Sequence, residues 1–291
     1  MKNPETSKYL HENIRGFNNL ESKPVDLILS GASGRMGKEI LKLVIGNDKF
    51  RLIGALENAN CAEIGQDAVR FIGKSCGIVI SDTAHSVSFK SQNKSVLIDF
   101  SNPKNTIDML DLCVSQSIGM VIGTTGFSEK EFMLLKQASK TIPILCAPNM
   151  SLGVNKVFAI LKEAAKYFDN NYDVEIFEAH HRDKLDAPSG TALKMGLIIA
   201  DILKLNPKDS FCFSRNDRKK NRGHGEIGFS VVRGGDIVGQ HKVIFAGNGE
   251  QIEITHTSNS RKGYALGALE AATFLSKTNN PGFFGMDDVI S

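Results

Sequence analysis

Residues 25–37 read VDLILSGASGRMG, and the chain continues through a helical pattern to a second apolar run that ends at residue 57. An apolar run, a glycine turn, a helix and another apolar run predict a strand–turn–helix–strand unit. In such a unit Gly31 permits the tight turn, Gly34 lets the backbone approach a pyrophosphate, and Gly37 lets the helix pack close to the sheet. Phosphates would lie at the helix N-terminus, where N–H groups and the helix dipole favour anions. The stretch therefore predicts a dinucleotide-binding domain.

The glycine spacing departs from the usual GxGxxG motif, because Ser33 and Met36 stand where its later glycines are expected. The context supports the dinucleotide interpretation. Glu57 closes the second apolar run about 20 residues after Gly37, where a carboxylate can accept hydrogen bonds from the adenine ribose. The alternative is a surface glycine turn with an incidental exposed glutamate.

Short apolar runs continue along the chain and alternate with helical patterns. The runs lie at residues 78–81, 96–100, 120–124 and 142–147, and the helical patterns at 103–117 and 128–140. This alternation predicts an α/β domain with a doubly wound, Rossmann-type parallel sheet. Functional loops belong at the carboxyl ends of its strands. There the sequence has DFSNP (99–103), GTTGF (123–127) and APNMS (147–151).

The pattern changes after Asn149. An amphipathic helix to about residue 168, and strands near 174–179, 229–233, 241–246 and 251–257, predict a mixed, half-exposed sheet. Its open face could bind a ligand or another subunit. The apolar helix at 261–276 has no sheet of its own, so we return it to the first domain. We expect residues 24–149 and 260–291 to form the dinucleotide-binding domain, and residues 150–259 to form an inserted α+β domain for substrate binding and oligomerisation.

Composition limits the class of protein. The 291 residues suffice for two domains, and 41% hydrophobic with 23% charged residues is ordinary for a soluble globular protein. No apolar run approaches the roughly 20 residues of a membrane-spanning helix. A net charge of +3 and one short basic run at 215–222 favour a solvated loop over a nucleic-acid site. Residues 1–23 fit neither a secretory signal nor a transit peptide, and are expected to be a mobile or docking arm.

The five cysteines are odd in number and show no CxxC or Cys/His ligand spacing. This usage indicates a reducing, cytoplasmic compartment and argues against structural zinc. Cys146 ends a predicted strand and could be a nucleophile, but no adjacent base follows it. The alternative is that all five are buried or incidental thiols.

Residues 178–193, EAHHRDKLDAPSGTAL, concentrate the chemistry. We expect a strand that ends in His180 and His181, a polar loop, and a helix that begins at residues 188–191. Two imidazoles, an arginine, a lysine and a helix start suit a small, multiply anionic molecule that undergoes proton transfer.

Each polar group of this segment has a role that its chemistry permits. Backbone N–H groups at Gly190 and Thr191 can hold a carboxylate, and Ser189 can cap the same helix. Lys184 can reach in from the loop as a cationic acid that quenches negative charge on a reduced ring. His181 is a hydrogen-bond donor when neutral and adds positive charge when protonated.

Plainer interpretations exist for several of these residues. Strand alternation would turn one of His180 and His181 to the core and the other to solvent. For the same reason, and because no third ligand has zinc spacing, no metal site is predicted. Arg233 and His241 flank a Gly-Gly turn, for which a hairpin with exposed polar tips is the plainest interpretation.

Five motifs together resemble the dihydrodipicolinate reductase family of the diaminopimelate route to lysine: GASGRMG, GTTG, APNMS, EAHHRDKLDAPSGTA and SVVRGGDIVGQH. The resemblance runs from about residue 25 to 290 and rests mainly on the His-rich segment, since many dehydrogenases share the glycine turn. It implies an oxidoreductase, a homotetramer, that uses NADH or NADPH to reduce an unsaturated nitrogen heterocycle carrying two carboxylates. The resemblance further implies that the substrate hydroxyl would leave as water and that the product would be tetrahydrodipicolinate.

The resemblance also implies roles for individual residues. His180 and Lys184 match the catalytic acid/base and proton-donor positions, and His181, Gly190 and Thr191 match substrate contacts, beside Ser189. The implied cofactor contacts are Gly31, Ala32, Ser33, Gly34, Arg35 and Met36 for the pyrophosphate, Glu57 for the ribose, Gly123, Thr124 and Thr125 for the nicotinamide side, and Ala147, Pro148, Asn149 and Met150 for its carboxamide.

Two questions stay open at this level. Asn58, rather than a basic residue, follows Glu57, which favours NADH over NADPH, although Arg35 could stabilise NADPH. The rival functions are another two-domain dehydrogenase of an amino-acid intermediate, such as a semialdehyde dehydrogenase, and a non-catalytic dinucleotide-sensing protein. The first needs an activated thiol, and the second needs the glycine turn but not His180 and Lys184.

Overall fold

The computed structural model of the chain describes residues 23–83, 87, 94–169, 171–216, 219 and 221–291. The expected N-terminal arm lies, except for Lys23, outside the described residues. The strands are β1 (Val25–Ser30), β2 (Phe50–Leu56), β3 (Ile80–Ser81), β4 (Ser95–Asp99), β5 (Gly119–Ile122), β6 (Pro143–Cys146), β7 (Asp173–His180), β8 (Phe211–Cys212), β9 (Ile227–Arg233), β10 (Gly239–Ala246), β11 (Gln251–Ser258) and β12 (Gly282–Phe284). The helices are α1 (Arg35–Val44), α2 (Pro103–Ser115), α3 (Glu129–Ala138), α4 (Leu152–Ala164), α5 (Gly190–Ile202), α6 (Pro207–Ser210), α7 (Lys262–Lys277) and α8 (Asp287–Ile290).

The first sheet confirms the Rossmann-type prediction. Its strand order is β12-β6-β5-β4-β1-β2-β3, and every pairing is parallel. All residues of β1 and β5 are buried, as expected for strands that are covered on both faces. Helices α1 and α7 cover one face, and α2 and α3 cover the other. Strands β2 and β3 follow β1 on one side of it, and β4, β5 and β6 then follow on its other side. The crevice between β1 and β4 is therefore a topological switch point.

The second sheet is mixed, also as predicted. Its order is β11-β10-β7-β9-β8, with β7, β9 and β8 parallel and β10 antiparallel to both of its neighbours. One face packs on α4 and α5 through residues such as Phe158 and Ile199. The other face leaves Val232 exposed. The sheet is therefore half-exposed.

The structure corrects two predictions in this region. The hairpin with tips at Arg233 and His241 is wrong, because β7 lies between β9 and β10. The basic run at 215–222 is not only a solvated loop. Arg215 and Arg222 form ion pairs with acidic side chains near the N-terminal ends of β7 and β9, Glu175 among them. These two strands are parallel, so their N-terminal ends and the carboxylates on them lie side by side.

The last part of the chain returns to the first sheet. Helix α7 packs on α1 and on the central strands, and β12 extends the sheet beyond β6. A Cβ built at Gly267 of α7 would lie 1.7 Å from the carbonyl oxygen of Met150, so this helix contacts the backbone where the chain passes to the second sheet. The structure shows no helix among the described residues that could span a membrane.

Candidate active site

One cavity of about 1020 Å³ lies between the two sheets. Its size suits a small substrate together with the nicotinamide end of a dinucleotide, since ligand pockets measure roughly 300–1,000 Å³. Twelve of the predicted cofactor-binding, substrate-binding and catalytic residues line it: Arg35, Met36, Thr125, Ala147, Pro148 and Asn149 from the first sheet's loops, and His180, His181, Lys184, Ser189, Gly190 and Thr191 from the second sheet's side. The two groups of residues face each other across the same space.

The glycine turn leaves no room for side chains. Gly31 has φ +79°, and a Cβ there would lie 2.5 Å from the carbonyl oxygen of Phe100. A Cβ at Gly37 would lie 2.2 Å from the carbonyl oxygen of Gly31. Gly34 is the N-cap residue of α1 and has no side chain with which to cap it. The first N–H groups of α1 are thus left for a bound anion.

Helices α2 to α5 differ from α1 in this respect. Each is capped by the side chain of its N-cap residue: Asn102, Ser128, Ser151 and Ser189, respectively. Each of these side chains accepts a hydrogen bond from a backbone N–H of the first helical turn, whereas the corresponding N–H groups of α1 have no side-chain cap.

Glu57 lies beside the glycine turn. Its Oε2 accepts hydrogen bonds from the backbone N–H (3.0 Å) and hydroxyl (2.5 Å) of Ser33, and its Oε1 accepts one from the N–H of Asn58 (3.0 Å). The sulfur of Cys61 lies 3.3 Å from the same hydroxyl. The turn and the acidic residue after β2 therefore form one hydrogen-bonded unit, which holds the carboxylate in place.

A buried polar network lies where β4 and β5 end. Asp99 is fully buried and accepts hydrogen bonds from the hydroxyls of Thr124 (2.7 Å), Thr106 (2.5 Å) and Ser101 (2.6 Å). Thr124 is itself buried, and its hydroxyl oxygen also accepts the N–H of Ser101. The side chain of Thr124 thus points into the sheet, and any contact that it makes with a cofactor must be through its backbone.

Three other predicted cofactor residues present only backbone. The Cβ of Gly123 would lie 2.1 Å from the ring of Phe100, and the side chains of Ala32 and Met150 are buried in the core of the first sheet.

The loop after β6 contacts the start of α5. Nδ2 of Asn149 donates to the hydroxyl of Thr191 (3.1 Å), which joins the loop after β6 to the start of α5. Nδ2 of Asn155 donates to the carbonyl of Asn149 (2.9 Å) and fixes that loop. An expected cofactor contact and an expected substrate contact are therefore within hydrogen-bond distance of each other.

His180 is held by a carboxylate on its own strand. Its Nδ1 lies 2.6 Å from Oε2 of Glu178, whose side chain is 1% exposed. Burial lowers the pKa of His180, and the hydrogen bond and charge of Glu178 only partly offset this effect. Its Nε2 is directed to Gly239, where a Cβ would come within 3.1 Å. The imidazole is thus largely buried, but it also lines the cavity.

His181 escapes strand alternation because β7 ends at His180. Both imidazoles line the cavity, with His180 buried and His181 partly exposed. Among the residues that the structure describes, no group of three or more His, Cys, Asp or Glu side chains could hold a metal ion.

Arg233 reaches the same carboxylate from β9. Its two terminal nitrogens donate to the two oxygens of Glu178, at 2.8 Å each. The same guanidinium donates to the backbone carbonyls of Lys184 and Asp186 in the loop after β7. The pKa of Arg233 is raised, chiefly by the hydrogen bonds with Glu178.

The start of α5 is fixed by Ser189. Its backbone N–H donates to Oε1 of Glu178 (2.9 Å), and its hydroxyl accepts from the N–H of Ala192, so it is the N-cap. The hydroxyl also lies 2.9 Å from Nε2 of His241, which is 4% exposed. Burial lowers the pKa of His241 to about 3, so this imidazole is neutral.

Further charged groups line the cavity. Nζ of Lys184 lies 2.7 Å from Oδ1 of Asp186. Burial raises the pKa of Asp186, but the hydrogen bond and charge of Lys184 and the N–H of Gly190 outweigh it, and the pKa lies below its usual range. A carboxylate thus already lies at the start of α5. Lys194 and Arg261 add two more cations.

Cys146 lines the cavity but is not activated. Burial raises the pKa of its thiol to about 11, whereas a nucleophilic cysteine needs a lowered pKa. This environment argues against thiol chemistry of the semialdehyde dehydrogenase type.

Sequence reasoning missed several residues of this site, chiefly Glu178, Arg233, His241 and Arg261. A local signal existed for the first, because residues i and i+2 of a strand share a face and Glu178 precedes His180 by two. Arg233 and His241 could be assigned only from the strand order.

Comparison with known proteins covers nearly the whole described chain. Residues 25–150 match the family model of dihydrodipicolinate reductase, N-terminus, and residues 153–290 match that of dihydrodipicolinate reductase, C-terminus. The 4-hydroxy-tetrahydrodipicolinate reductase of Polynucleobacter necessarius is 46% identical over 264 residues, which covers 91% of this chain and 98% of that protein. The protein of the same name from Nitrosospira multiformis is 46% identical over 266 residues, covering 91% and 97%. A dipicolinate-bound dihydrodipicolinate reductase from Paenisporosarcina sp. TG-14 shares the fold with a TM-score of 0.70 at 22% identity, covering 92% of this chain and 100% of that one.

Proposed function

The chain belongs to the dihydrodipicolinate reductase family, and from that premise we propose how its cavity works. The function is that of an NAD(P)H-dependent 4-hydroxy-tetrahydrodipicolinate reductase of the diaminopimelate route to lysine. The observation that carries the proposal is the convergence, in one cavity, of His180, Lys184 and the start of α5 with the strand-end loops of the first sheet.

We assign dinucleotide binding to residues 24–149 with 260–291, and substrate binding to residues 150–259. The glycine turn fits a pyrophosphate, because its backbone is open to close approach and the first N–H groups of α1 lack a side-chain cap. Arg35 and Met36 would flank the phosphates, and the loops at 123–125 and 147–150 would hold the nicotinamide. A bound nicotinamide supplies the hydride.

Glu57 supports a preference for NADH. Its carboxylate is held next to the turn by Ser33 and Asn58, where it can accept hydrogen bonds from ribose hydroxyls and would repel a 2′-phosphate. Arg35 is the nearby cation that would stabilise bound NADPH.

The substrate is a heterocycle with two carboxylates, and the start of α5 would bind one of them. The N–H groups of Gly190 and Thr191 point from a helix whose cap, Ser189, is fixed by Glu178. Lys184 lowers the pKa of Asp186 most, and the N–H of Gly190 adds a smaller effect in the same direction, as expected for a helix start that can hold a carboxylate. His181 would contribute a further donor to the dianion.

Lys184 would donate the proton. Hydride addition builds negative charge on the ring, and a cationic acid in the loop stabilises that charge as it develops. The ion pair with Asp186 holds Lys184 at the cavity. His180, with Nδ1 engaged by Glu178, presents Nε2 as the nitrogen that accepts or returns a proton.

We also propose that the chain acts as a cytoplasmic homotetramer. The half-exposed face of the second sheet, with Val232 on it, supports subunit pairing through that sheet. The five cysteines, all unpaired with one another, are typical of a reducing compartment.

A coupled assay tests the function. Dihydrodipicolinate synthase supplies the heterocycle, and NADH oxidation is followed by absorbance. NADH should be consumed only when the synthase and its substrates are present. NADH binding without turnover would instead indicate a dinucleotide-sensing protein. The variant Cys146→Ser should keep the activity, and its loss would favour thiol chemistry.

A further inference from the structure

We infer that the buried ion pair of Glu178 and Arg233 is a positioning unit that sets both the ring of His180 and the loop of Lys184, so that the two acid–base groups depend on one carboxylate. The inference rests on the proposed roles of His180 and Lys184. Neither member of the pair is expected to touch the substrate.

The carboxylate of Glu178 is saturated with donors from three elements. Oε2 accepts hydrogen bonds from Nδ1 of His180 (2.6 Å) and from one terminal nitrogen of Arg233 (2.8 Å). Oε1 accepts hydrogen bonds from the backbone N–H of Ser189 (2.9 Å) and from the other terminal nitrogen of Arg233 (2.8 Å). With the side chain 1% exposed, water does not replace these bonds. Strand β7, strand β9 and the start of α5 are thus joined at a single group.

The carboxylate fixes the tautomer of His180. An ionised carboxylate only accepts hydrogen bonds, so Nδ1 must carry the proton whenever the imidazole is neutral. Nε2 is then the basic nitrogen, the one that lies towards Gly239. Without Glu178, both tautomers and both ring orientations become accessible, and part of the population presents the wrong nitrogen.

Arg233 transmits the same constraint to the loop. While two of its nitrogens bind Glu178, the guanidinium also donates to the carbonyls of Lys184 and Asp186. These bonds hold the backbone of the loop on either side of Leu185, which is 97% exposed and cannot anchor it by packing. The position of the Lys184 ammonium therefore depends on the guanidinium.

The sheet does not need this pair to join β7 to β9. Seven residue pairs already align the two strands in parallel, and Arg215 with Glu175 and Glu226 gives a second arginine fork near their other end. Replacing a buried ion pair with neutral groups of similar size is often close to neutral for stability. A purely structural role would make the pair dispensable, whereas a positioning role would not.

The test compares three variants of the full-length enzyme. Glu178→Gln removes the charge with little change of shape. The double variant Glu178→Gln/Arg233→Met removes both charges, so no unpaired ion is left buried. Glu175→Gln is the matched control, since it alters a glutamate on the same strand that is also bonded to an arginine, but away from the cavity. For each variant kcat, KM, the Kd of NADH and the urea midpoint are measured.

If the pair positions the acid–base groups, Glu178→Gln and the double variant should lose about 10- to 100-fold in kcat, as is usual when a group that orients a functional side chain is removed. Their Kd for NADH should not change. The double variant should also be closer to wild type in its urea midpoint than Glu178→Gln, yet no more active. Glu175→Gln should stay within about twofold of wild type.

The pH profile separates positioning from a loss of folding. The charged and titratable groups that face His180 are Glu178, Lys184, Arg233 and His241. Burial lowers the pKa of His180 and Glu178 raises it, so removing the carboxylate should move the limb of kcat/KM that reports His180 to lower pH.

Two results overturn the inference while leaving the proposed function intact. One is a double variant whose kcat recovers together with its stability. The other is a pH profile of Glu178→Gln identical to that of Glu175→Gln. Failure of the proposed function is distinct, because the wild-type enzyme itself would then not reduce the heterocycle.

Discussion

Replacing Gly37 by alanine is a direct test of the dinucleotide turn, because helix propensity and packing predict opposite signs. Gly37 lies in the first turn of α1, where alanine is favoured over glycine by up to about 1 kcal/mol. The added Cβ, however, would lie 2.2 Å from the carbonyl oxygen of Gly31 and 2.6 Å from that of Ala32. Ordinary C···O contacts are about 3.3 Å. The shorter of the two is thus more than 1 Å too close.

The neighbours at Gly37 cannot rotate away, because both are backbone atoms of the turn itself. The helix or the turn must shift, and overpacking of this kind costs about 1–3 kcal/mol. We therefore expect Gly37→Ala to lower the free energy of unfolding by that amount, less the gain in helix propensity. It should also weaken NADH binding about tenfold or more, since a 1 Å shift of the turn displaces the N–H groups that would hold the phosphates.

Gly263→Ala is the matched control. Gly263 also lies in the first turn of a helix, α7, and a Cβ there meets nothing within 4 Å. This variant should be as stable as wild type or slightly more so, with the same Kd for NADH. Urea denaturation and fluorescence titration with NADH measure both quantities. Equal stability and equal NADH affinity of the two alanine variants would refute the close-packed turn.

Three further predictions concern the cavity. Lys184→Ala should lower turnover about 100-fold or more while NADH still binds, and unaltered turnover would exclude Lys184 as the proton donor. Glu57→Gln should raise the NADPH/NADH ratio of kcat/KM about fivefold, the effect of removing roughly 1 kcal/mol of charge repulsion, as initial rates at low cofactor concentration will measure. Folding lowers the pKa of His241 from 6.5 to about 3. As the pH falls, His241 is therefore protonated in the unfolded chain before it is protonated in the folded protein, and stability decreases from pH 6.5 towards pH 3. Between pH 7.5 and 5 this group should cost about 2 kcal/mol, and urea denaturation of His241→Asn should show a correspondingly smaller loss.

The first sheet could be predicted because its strands are buried on both faces and read as continuous apolar runs. Each of these apolar runs begins and ends within two residues of the corresponding strand of the structure. The short elements could not be predicted in the same way. Strand β12 (Gly282–Phe284) has three residues and helix α8 (Asp287–Ile290) has four. Neither is long enough for a periodic pattern to develop, although α8 lines the cavity.

The side chains of the strand-end loops were harder to predict than their positions. GTTGF lies after β5 as expected, but the hydroxyl of Thr124 bonds to Asp99 instead of lining the cavity. The physical reason is that a fully buried carboxylate must be satisfied by donors, and those nearest to Asp99 belong to the polar residues of these loops. Sequence alone does not show that Asp99 is buried, because the position follows an apolar strand and could equally face the crevice.

The part of the site that lies on strands depends on a register that no single segment contains. Across β9, β7 and β10, Arg233 aligns with His180, and Glu178 aligns with His241. A hairpin of β9 and β10 would have made these two strands neighbours. The insertion of β7 between them places the carboxylate and the imidazole of that strand between the guanidinium and the second imidazole. Because a shift of one residue in β7 would turn Glu178 and His180 to the opposite face together, the same pairing that builds the sheet also fixes the acid–base groups.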